Sequence, residues 1–422
     1  MNKIVVEGGA PISGEITVQG AKNAVLPILA ASVMSDSGCV IHNCPRLRDV
    51  EKTMQILSRL GCKLRRSGGD IEVDASGITD CRIDEKLMRE MRSSIIFLGA
   101  ILSRCQTAEV GMPGGCPIGL RPIDLHLKAL RRMGAAISEE HGYLKCECSR
   151  LKGADIHLDF PSVGATENVM LAAVCAEGET VITNAAREPE ITDLAGFLNR
   201  MGARIKGAGS SVVTIDGVPS LHSAEYTVMP DRIVAETYLI ATMITGGELF
   251  LRRAEPSHMQ AVISALGEMG GRIKQDEAGV YIKSSGRPGS IHIIKTMPYP
   301  GFPTDAQSPF MALASVADGT SVFVENVFEN RFRHVDELVR MGADIKVEGR
   351  SAVVRGVRTL YGANVRAEEL RGGAALVLAA MAASGRSEIS GTEHIDRGYE
   401  DIEGTLSRCG IRIKRVKIPN DI

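Results

Sequence analysis

A chain of 422 residues with 44% apolar content has the material for two or three domains with substantial cores, which excludes a disordered polymer. Its 49 basic against 51 acidic residues leave a net charge of -2, so neither nucleic acid nor an anionic membrane surface is an expected partner. The opening residues meet charge and glycine too early for a signal-peptide core, and the low-polarity run over 372–384 falls short of the ~20 residues of a spanning helix, so a cytoplasmic location is expected. Ten irregularly spaced cysteines form neither a disulfide framework nor a metal-ligand pattern and are read as reduced thiols.

In chain order, a strand over 14–18 leads to an apolar helix beginning near Ala24, then to a second strand and an amphipathic helix that ends with Leu57 and, four positions on, Gly61. The same marker recurs at Leu130 and Gly134, Leu198 and Gly202, Leu266 and Gly270, Leu338 and Gly342, and Leu406 and Gly410, with the glycines 73, 68, 68, 72 and 68 residues apart. Six copies of one unit fill the chain. The first helix of each copy, beginning near Ala24, Ser93, Ala165, Ile233, Gln307 and Gly373, has no polar face and therefore belongs inside. The second helix is amphipathic, and the marker glycine stops it as a C-cap. One unit is too small to bury both of its faces, so grouping is required. Three units per lobe are expected: one lobe over 22–229, and a second over 1–21 plus 230–422, in which a strand over 3–7 pairs with the last unit. A cleft between lobes is the expected place for a ligand.

At or just before the first turn of the apolar helices stand Lys22-Asn23, Arg92, Ser162-Val163-Gly164, Arg232, Asp305 and Arg371. A cation there opposes the helix dipole unless an anion is bound nearby, so the set favours an anionic ligand among helix ends. The starts of the amphipathic helices add Arg46, Arg48, Arg121, Arg187, Arg331, Arg333 and Arg397, whose forked guanidinium groups suit phosphate or carboxylate. A small polyanion fits better than a polymer. No Gly-x-x-x-x-Gly-Lys-Ser/Thr segment is present, and the stretch from Gly111 to Cys116 lacks the spacing of a dinucleotide fingerprint. The second repeat alone carries a glycine- and proline-rich loop over 111–122, in which Cys116 stands near Arg121 as a candidate nucleophile or proton donor. Without a sequence-adjacent histidine base, a papain-like hydrolase is disfavoured.

Lys22-Asn23, the Cys116 loop running into Arg121-Pro122-Ile123-Asp124-Leu125-His126, Phe302-Pro303-Thr304-Asp305 and His394-Ile395-Asp396-Arg397-Gly398-Tyr399-Glu400 resemble the UDP-N-acetylglucosamine 1-carboxyvinyltransferase family of MurA-type enolpyruvyl transferases over essentially the whole chain. The resemblance implies an inside-out α/β barrel or prism with two pseudo-threefold lobes built from the six units. It implies transfer of the enolpyruvyl group of phosphoenolpyruvate to the 3-hydroxyl of UDP-N-acetylglucosamine with release of phosphate, the first committed step of peptidoglycan precursor synthesis. No cofactor and no metal are implied, and no oligomeric state is fixed; a monomer suffices. By the same resemblance Lys22, Arg121 and Arg397 are the phosphoenolpyruvate clamp, with Arg92 and Arg371 supporting. Asp305 is the base or proton shuttle at the sugar hydroxyl. Cys116 protonates C3 or captures phosphoenolpyruvate, and is the target of the epoxide antibiotic fosfomycin. Asn23 and Val327 belong at the sugar. Arg121, Pro122, Asp124 and Leu125 form the uridine edge, with Ile123 among the substrate-binding residues, and Ser162, Val163 and Gly164 lie around the diphosphate. Two stretches depart from the family pattern: Glu369 stands where aspartate is common, and Val234-Ala235-Glu236-Thr237 stands where Glu-Thr-Gly-Thr is common. A carboxyvinyltransferase acting on another anionic acceptor and a catalytically silent sugar-nucleotide-binding paralogue are the alternatives.

Overall fold

The computed structural model describes residues 2–112 and 123–417, and for Arg92 only the backbone. The chain separates into two compact units. One holds the residues up to Gln19 and from Pro230 onward, the other those from Gly20 to Met229, leaving aside the undescribed 113–122. Each has its own apolar core.

The described strands form six four-stranded sheets of one design. In the third copy, for example, Asp155–His157 lies parallel to Glu179–Thr183, which is antiparallel to Val212–Asp216, itself antiparallel to Arg204–Lys206. A parallel pair needs a crossover, and the apolar helix Val163–Ala173 supplies it. A tight hairpin then completes the sheet. Residues alternate between buried and exposed along the strands, as in Asp70–Asp74, so each sheet turns one face inward and one to water.

The six crossover segments are Lys22–Ala31, the 3-10 turn Arg92–Ile96 continuing into Phe97–Cys105, Val163–Ala173, Arg232–Thr245, Thr304–Ala314 and Leu370–Ala382. Their apolar character predicts burial on all sides, and in Arg232–Thr245 every residue but the last is buried. In the unit with the chain ends, Arg232–Thr245, Thr304–Ala314 and Leu370–Ala382 all pack on one another. The helices start one to three residues earlier than hydrophobicity indicates, because their first turns are polar: Ser162, Asp231 and Glu369 each accept backbone N–H groups as side-chain caps. All six marker glycines have left-handed backbone, with φ of 103, 95, 99, 100, 95 and 90° for Gly61, Gly134, Gly202, Gly270, Gly342 and Gly410. A side chain there is strained, which accounts for the glycine in every copy.

Two strands lie elsewhere than the order of the repeats predicts. Ile12–Thr17, read as the opening strand of the first copy, runs parallel to Gly247–Arg252 in the fourth sheet. Its place beside Gly38–His42 is taken by Glu225–Thr227. The sixth sheet is completed by Asn2–Glu7, antiparallel to both Arg386–Ser390 and Arg412–Lys417. Where the chain passes between units its two strands are fixed by hydrogen bonds within each: Ala21 N–H to Met229 O at 2.8 Å in one, Asp231 N–H to Gln19 O at 2.8 Å in the other. No helix among the described residues is long and apolar enough to cross a membrane.

Candidate active site

In the unit of Gly20 to Met229, Lys22 is the first residue of its helix, following Ala21 in extended conformation with no side-chain cap. Its Nζ lies 3.4 Å from Asp49 Oδ2, and both side chains are largely buried. Asp49 comes from the first turn of the amphipathic helix Arg48–Arg59, so one carboxylate offsets a cation placed against the positive end of a helix dipole. Asn23 is half-buried beside it. Arg92 opens the 3-10 turn Arg92–Ile96. Ile123 is buried ahead of the helix Asp124–Arg132; Asp124 is exposed and Leu125 half-buried. Cys116, Arg121 and Pro122 lie outside the described residues.

Ser162 caps the third crossover helix, its Oγ accepting from Ala165 N–H at 3.3 Å, with Val163 and Gly164 half-buried behind it. A Cβ on Gly164 would stand 3.3 Å from His126 Cε1, so the glycine lets that helix start lie close to the histidine. His126 is held in turn: its Nδ1 is 2.9 Å from Asn168 Nδ2, while Asn168 donates to Ile95 O at 3.1 Å and accepts from Gly99 N–H at 2.6 Å. One buried amide thus ties the crossovers of the second and third copies to the helix that carries Asp124 and Leu125.

In the unit with the chain ends, Asp305 is the second residue of Thr304–Ala314, and its side chain is 29% exposed, open enough to exchange a proton. Arg331, buried, donates to Asp305 Oδ1 at 2.8 Å and to Thr304 O at 3.1 Å. Arg371 Nε lies 3.6 Å from the same Asp305 oxygen, and its Nη1 donates to Tyr399 Oη at 3.3 Å; Tyr399 in turn pairs with Thr237 Oγ1 at 2.8 Å. Burial works against the Arg371 cation, but Asp305 and Tyr399 outweigh it and hold its pKa above the ordinary arginine value. Glu369 caps Leu370–Ala382, accepting from Arg371 N–H at 2.8 Å and from Gly372 N–H, and also faces Arg331 at 3.8 Å. Glu369, the residue expected to depart from the family pattern, is therefore the cap of its helix in this chain. Val327 is set by Glu325, whose Oε1 accepts from Val327 N–H at 2.8 Å and whose Oε2 accepts from Thr304 Oγ1 at 3.0 Å. Arg397 is half-buried in a turn that Gln19 grips from both sides, through Gly398 O at 3.1 Å and Glu400 N–H at 3.0 Å.

Asp305, Arg371 and the neighbouring Arg331 are thus brought together by direct contact, and Lys22 by contact with Asp49. Reasoning from sequence passed over Asp49, Glu325 and the anchoring role of Arg331. Only Arg331 carried a signal, as one of the arginines at the amphipathic-helix starts. Among the described residues no group of three or more histidine, cysteine or acidic side chains is arranged to hold a metal ion.

A sequence profile described as EPSP synthase (3-phosphoshikimate 1-carboxyvinyltransferase) matches residues 6–406. A UDP-N-acetylglucosamine 1-carboxyvinyltransferase 2 of Caldanaerobacter subterraneus subsp. tengcongensis is 52% identical over 416 residues, spanning 99% of this chain and 100% of the relative. The chain belongs to the UDP-N-acetylglucosamine 1-carboxyvinyltransferase family. A second member of that family, from Nitratidesulfovibrio vulgaris strain DP4, is 50% identical over 98% of this chain and 99% of its own length. Among solved structures, the enolpyruvyl transferase NikO from Streptomyces tendae superposes with a TM-score of 0.88 at 25% identity, covering 99% of each chain. EPSP synthase from Acinetobacter baumannii, at 20% identity and a TM-score of 0.77 over 99% of this chain and 100% of its own, shares the fold.

Proposed function

We infer that this chain transfers the enolpyruvyl group of phosphoenolpyruvate to the 3-hydroxyl of UDP-N-acetylglucosamine, releasing phosphate, as the first committed step of peptidoglycan precursor synthesis. The observation that carries this reading is identity of about half the residues, over essentially the full length, with relatives that bear that activity in their names.

The chemistry divides between the groups described. Asp305, held by Arg331 and Arg371, receives the hydroxyl proton as the sugar oxygen bonds to C2 of phosphoenolpyruvate. Cys116 supplies the proton gained at C3. The tetrahedral adduct then returns a C3 proton to the Cys116 thiolate and expels its phosphate, which takes the proton held by Asp305, restoring the double bond and both side chains. Lys22, Arg121 and Arg397, with Arg92 and Arg371, carry the phosphate and carboxylate charge, and preorganised cations stabilise the charge that builds on the leaving oxygen. Since Lys22 already faces Asp49 at 3.4 Å, an incoming anion shares the ammonium with that carboxylate or displaces it. Asn23 and Val327 serve the sugar, Ile123, Asp124 and Leu125 with Arg121 and Pro122 the uridine, and Ser162 to Gly164 the diphosphate. Two inside-out pseudo-threefold lobes of three copies each complete the reading, with a cytoplasmic location, where soluble phosphoenolpyruvate and UDP-N-acetylglucosamine are at hand.

The test is phosphate release from phosphoenolpyruvate that depends on UDP-N-acetylglucosamine, with the product confirmed by mass. Because the matching family profile is described by 3-phosphoshikimate, that acceptor belongs in the same assay. A preference for it would overturn the assignment.

A further inference from the structure

Glu236 sits in the second turn of Arg232–Thr245, at 1% exposure, and neither carboxyl oxygen has a hydrogen-bond partner. A buried carboxylate without donors is costly, whereas the neutral acid loses far less. The charges around it come from four places. Asp231 caps its own helix through Ile233 and Val234 N–H at 3.0 Å each, and Arg232 opens that helix. Asp305 and Arg371 are brought by the two helices packed on it, Thr304–Ala314 and Leu370–Ala382. The other neighbours of this helix, Ile12–Thr17, Gly247–Arg252, Pro256–Met259, Gln260–Glu268 and Gly279–Ser284, bury apolar side chains such as Ile16, Leu251, Met259, Leu266 and Ile282; of their titratable groups Glu15, Arg252, Glu268 and Lys283 are exposed, and Glu248, His258 and Tyr281 are half-buried. Asp305 is bonded to Arg331, and Tyr399 bridges Arg371 and Thr237 one residue beyond Glu236.

We propose that Glu236 is a positioning residue that holds a proton in place of a charge: as a neutral acid it leaves the positive field of Arg232 and Arg371 to an incoming phosphate- or carboxylate-bearing substrate, and once ionised it competes for that field and weakens the substrate's hold. This rests on the enolpyruvyl transfer proposed above. Burial pushes the Glu236 carboxyl up to about 8, with Asp305 and Asp231 adding to the rise and Arg232 and Arg371 opposing it. The sign follows: the proton is present below that value and lost above it, so substrate binding weakens as pH rises through about 8. A phosphate monoester has its second pKa at ~6, so that ionisation is about nine-tenths complete at pH 7 and the substrate's own charge hardly changes in this window.

The experiment compares wild type with E236Q, whose amide cannot ionise. At pH 9 about nine wild-type molecules in ten carry the ionised side chain, so the wild-type KM for phosphoenolpyruvate is expected to rise about tenfold more between pH 7 and 9 than that of E236Q, while the ratio of their kcat values holds constant. The two proteins share every other titrating group, so parallel KM profiles would overturn the proposal. A measurement on wild type alone guards against a misfolded variant: calorimetry of phosphoenolpyruvate binding without acceptor, at pH 8 in buffers of differing ionisation enthalpy, is expected to show uptake of about half a proton. No uptake overturns the proposal by that route. Wild type that binds phosphoenolpyruvate with proton uptake yet releases no phosphate with UDP-N-acetylglucosamine would condemn the assigned reaction instead, and leave Glu236 in its role.

Discussion

Replacing Asp305 by asparagine keeps the side-chain shape and one oxygen to accept from Arg331, but removes the proton acceptor and the charge that faces two buried guanidinium groups at 2.8 and 3.6 Å. A positioned general base contributes roughly 10²–10⁴ in rate. At 1.36 kcal/mol per decade, D305N is expected to raise the barrier by about 3–5 kcal/mol. Cutting a fully buried ion pair costs about 3–5 kcal/mol; Asp305 is 29% exposed and the amide keeps a hydrogen bond, so a loss of about 1–3 kcal/mol of stability is expected in that unit. Phosphate release under saturating substrates gives the first quantity, a thermal melt the second at about 2–4 °C per kcal/mol, and calorimetry shows whether UDP-N-acetylglucosamine still binds. A kcat within about threefold of wild type would refute the base assignment, since that is under 1 kcal/mol. Loss of nucleotide-sugar affinity matching the loss of kcat would place Asp305 in binding rather than proton transfer.

Cys116→Ala is expected to abolish turnover and the mass increase left by fosfomycin; full turnover in that variant would remove the thiol from the reaction. Gly99→Ala would set a Cβ 2.3 Å from Asn168 O, a backbone atom in a packed helix pair, so a loss of about 3 kcal/mol is expected by melt, and an unchanged melting temperature would show that the pair can spread. Asp193 is the pH reporter: burial pushes its carboxyl up to about 6 against hydrogen bonds from Tyr226 Oη and Met229 N–H. Its contribution is therefore full below about 4 and lost as pH rises through about 6, so the stability of wild type relative to D193N is expected to fall by about 2–3 kcal/mol over that range. A flat difference in denaturant midpoints from pH 4 to 7 would contradict this.

The repeat was legible because one geometric demand recurs: a left-handed residue after each amphipathic helix selects glycine six times, and the apolar helices announce their burial by lacking a polar face. Partnership between distant segments was not. Ile12–Thr17 and Glu225–Thr227 each precede a crossover helix and carry similar residues, so nothing local tells which sheet receives which strand. The charges at helix starts could be read from residue type and dipole, but their partners of opposite charge come from other elements: the Asp49 carboxylate for Lys22 from the following amphipathic helix, the Arg331 guanidinium for Asp305 from 26 residues away. Glu236 is a position where hydrophobic patterning fails, a carboxyl in a helix otherwise sealed, and the failure marks the group whose charge state is in question.

The strand Asn2–Glu7 has consequences for the order in which the protein can be built. Both of its neighbours, Arg386–Ser390 and Arg412–Lys417, are synthesised some 400 residues later. At ~5–20 residues per second a ribosome needs about 20–80 s to produce them, and throughout that time an apolar strand with two open edges is exposed to the cell. The described residues between Gly20 and Met229 form a compact unit with no described part downstream of it, and can condense while the remainder is still emerging. Nascent chains halted after residue 229 should therefore already resist proteolysis over 20–112 and 123–229 while the first nineteen residues are cut away, and the unit that carries Asp305 would be the last part of the enzyme to exist.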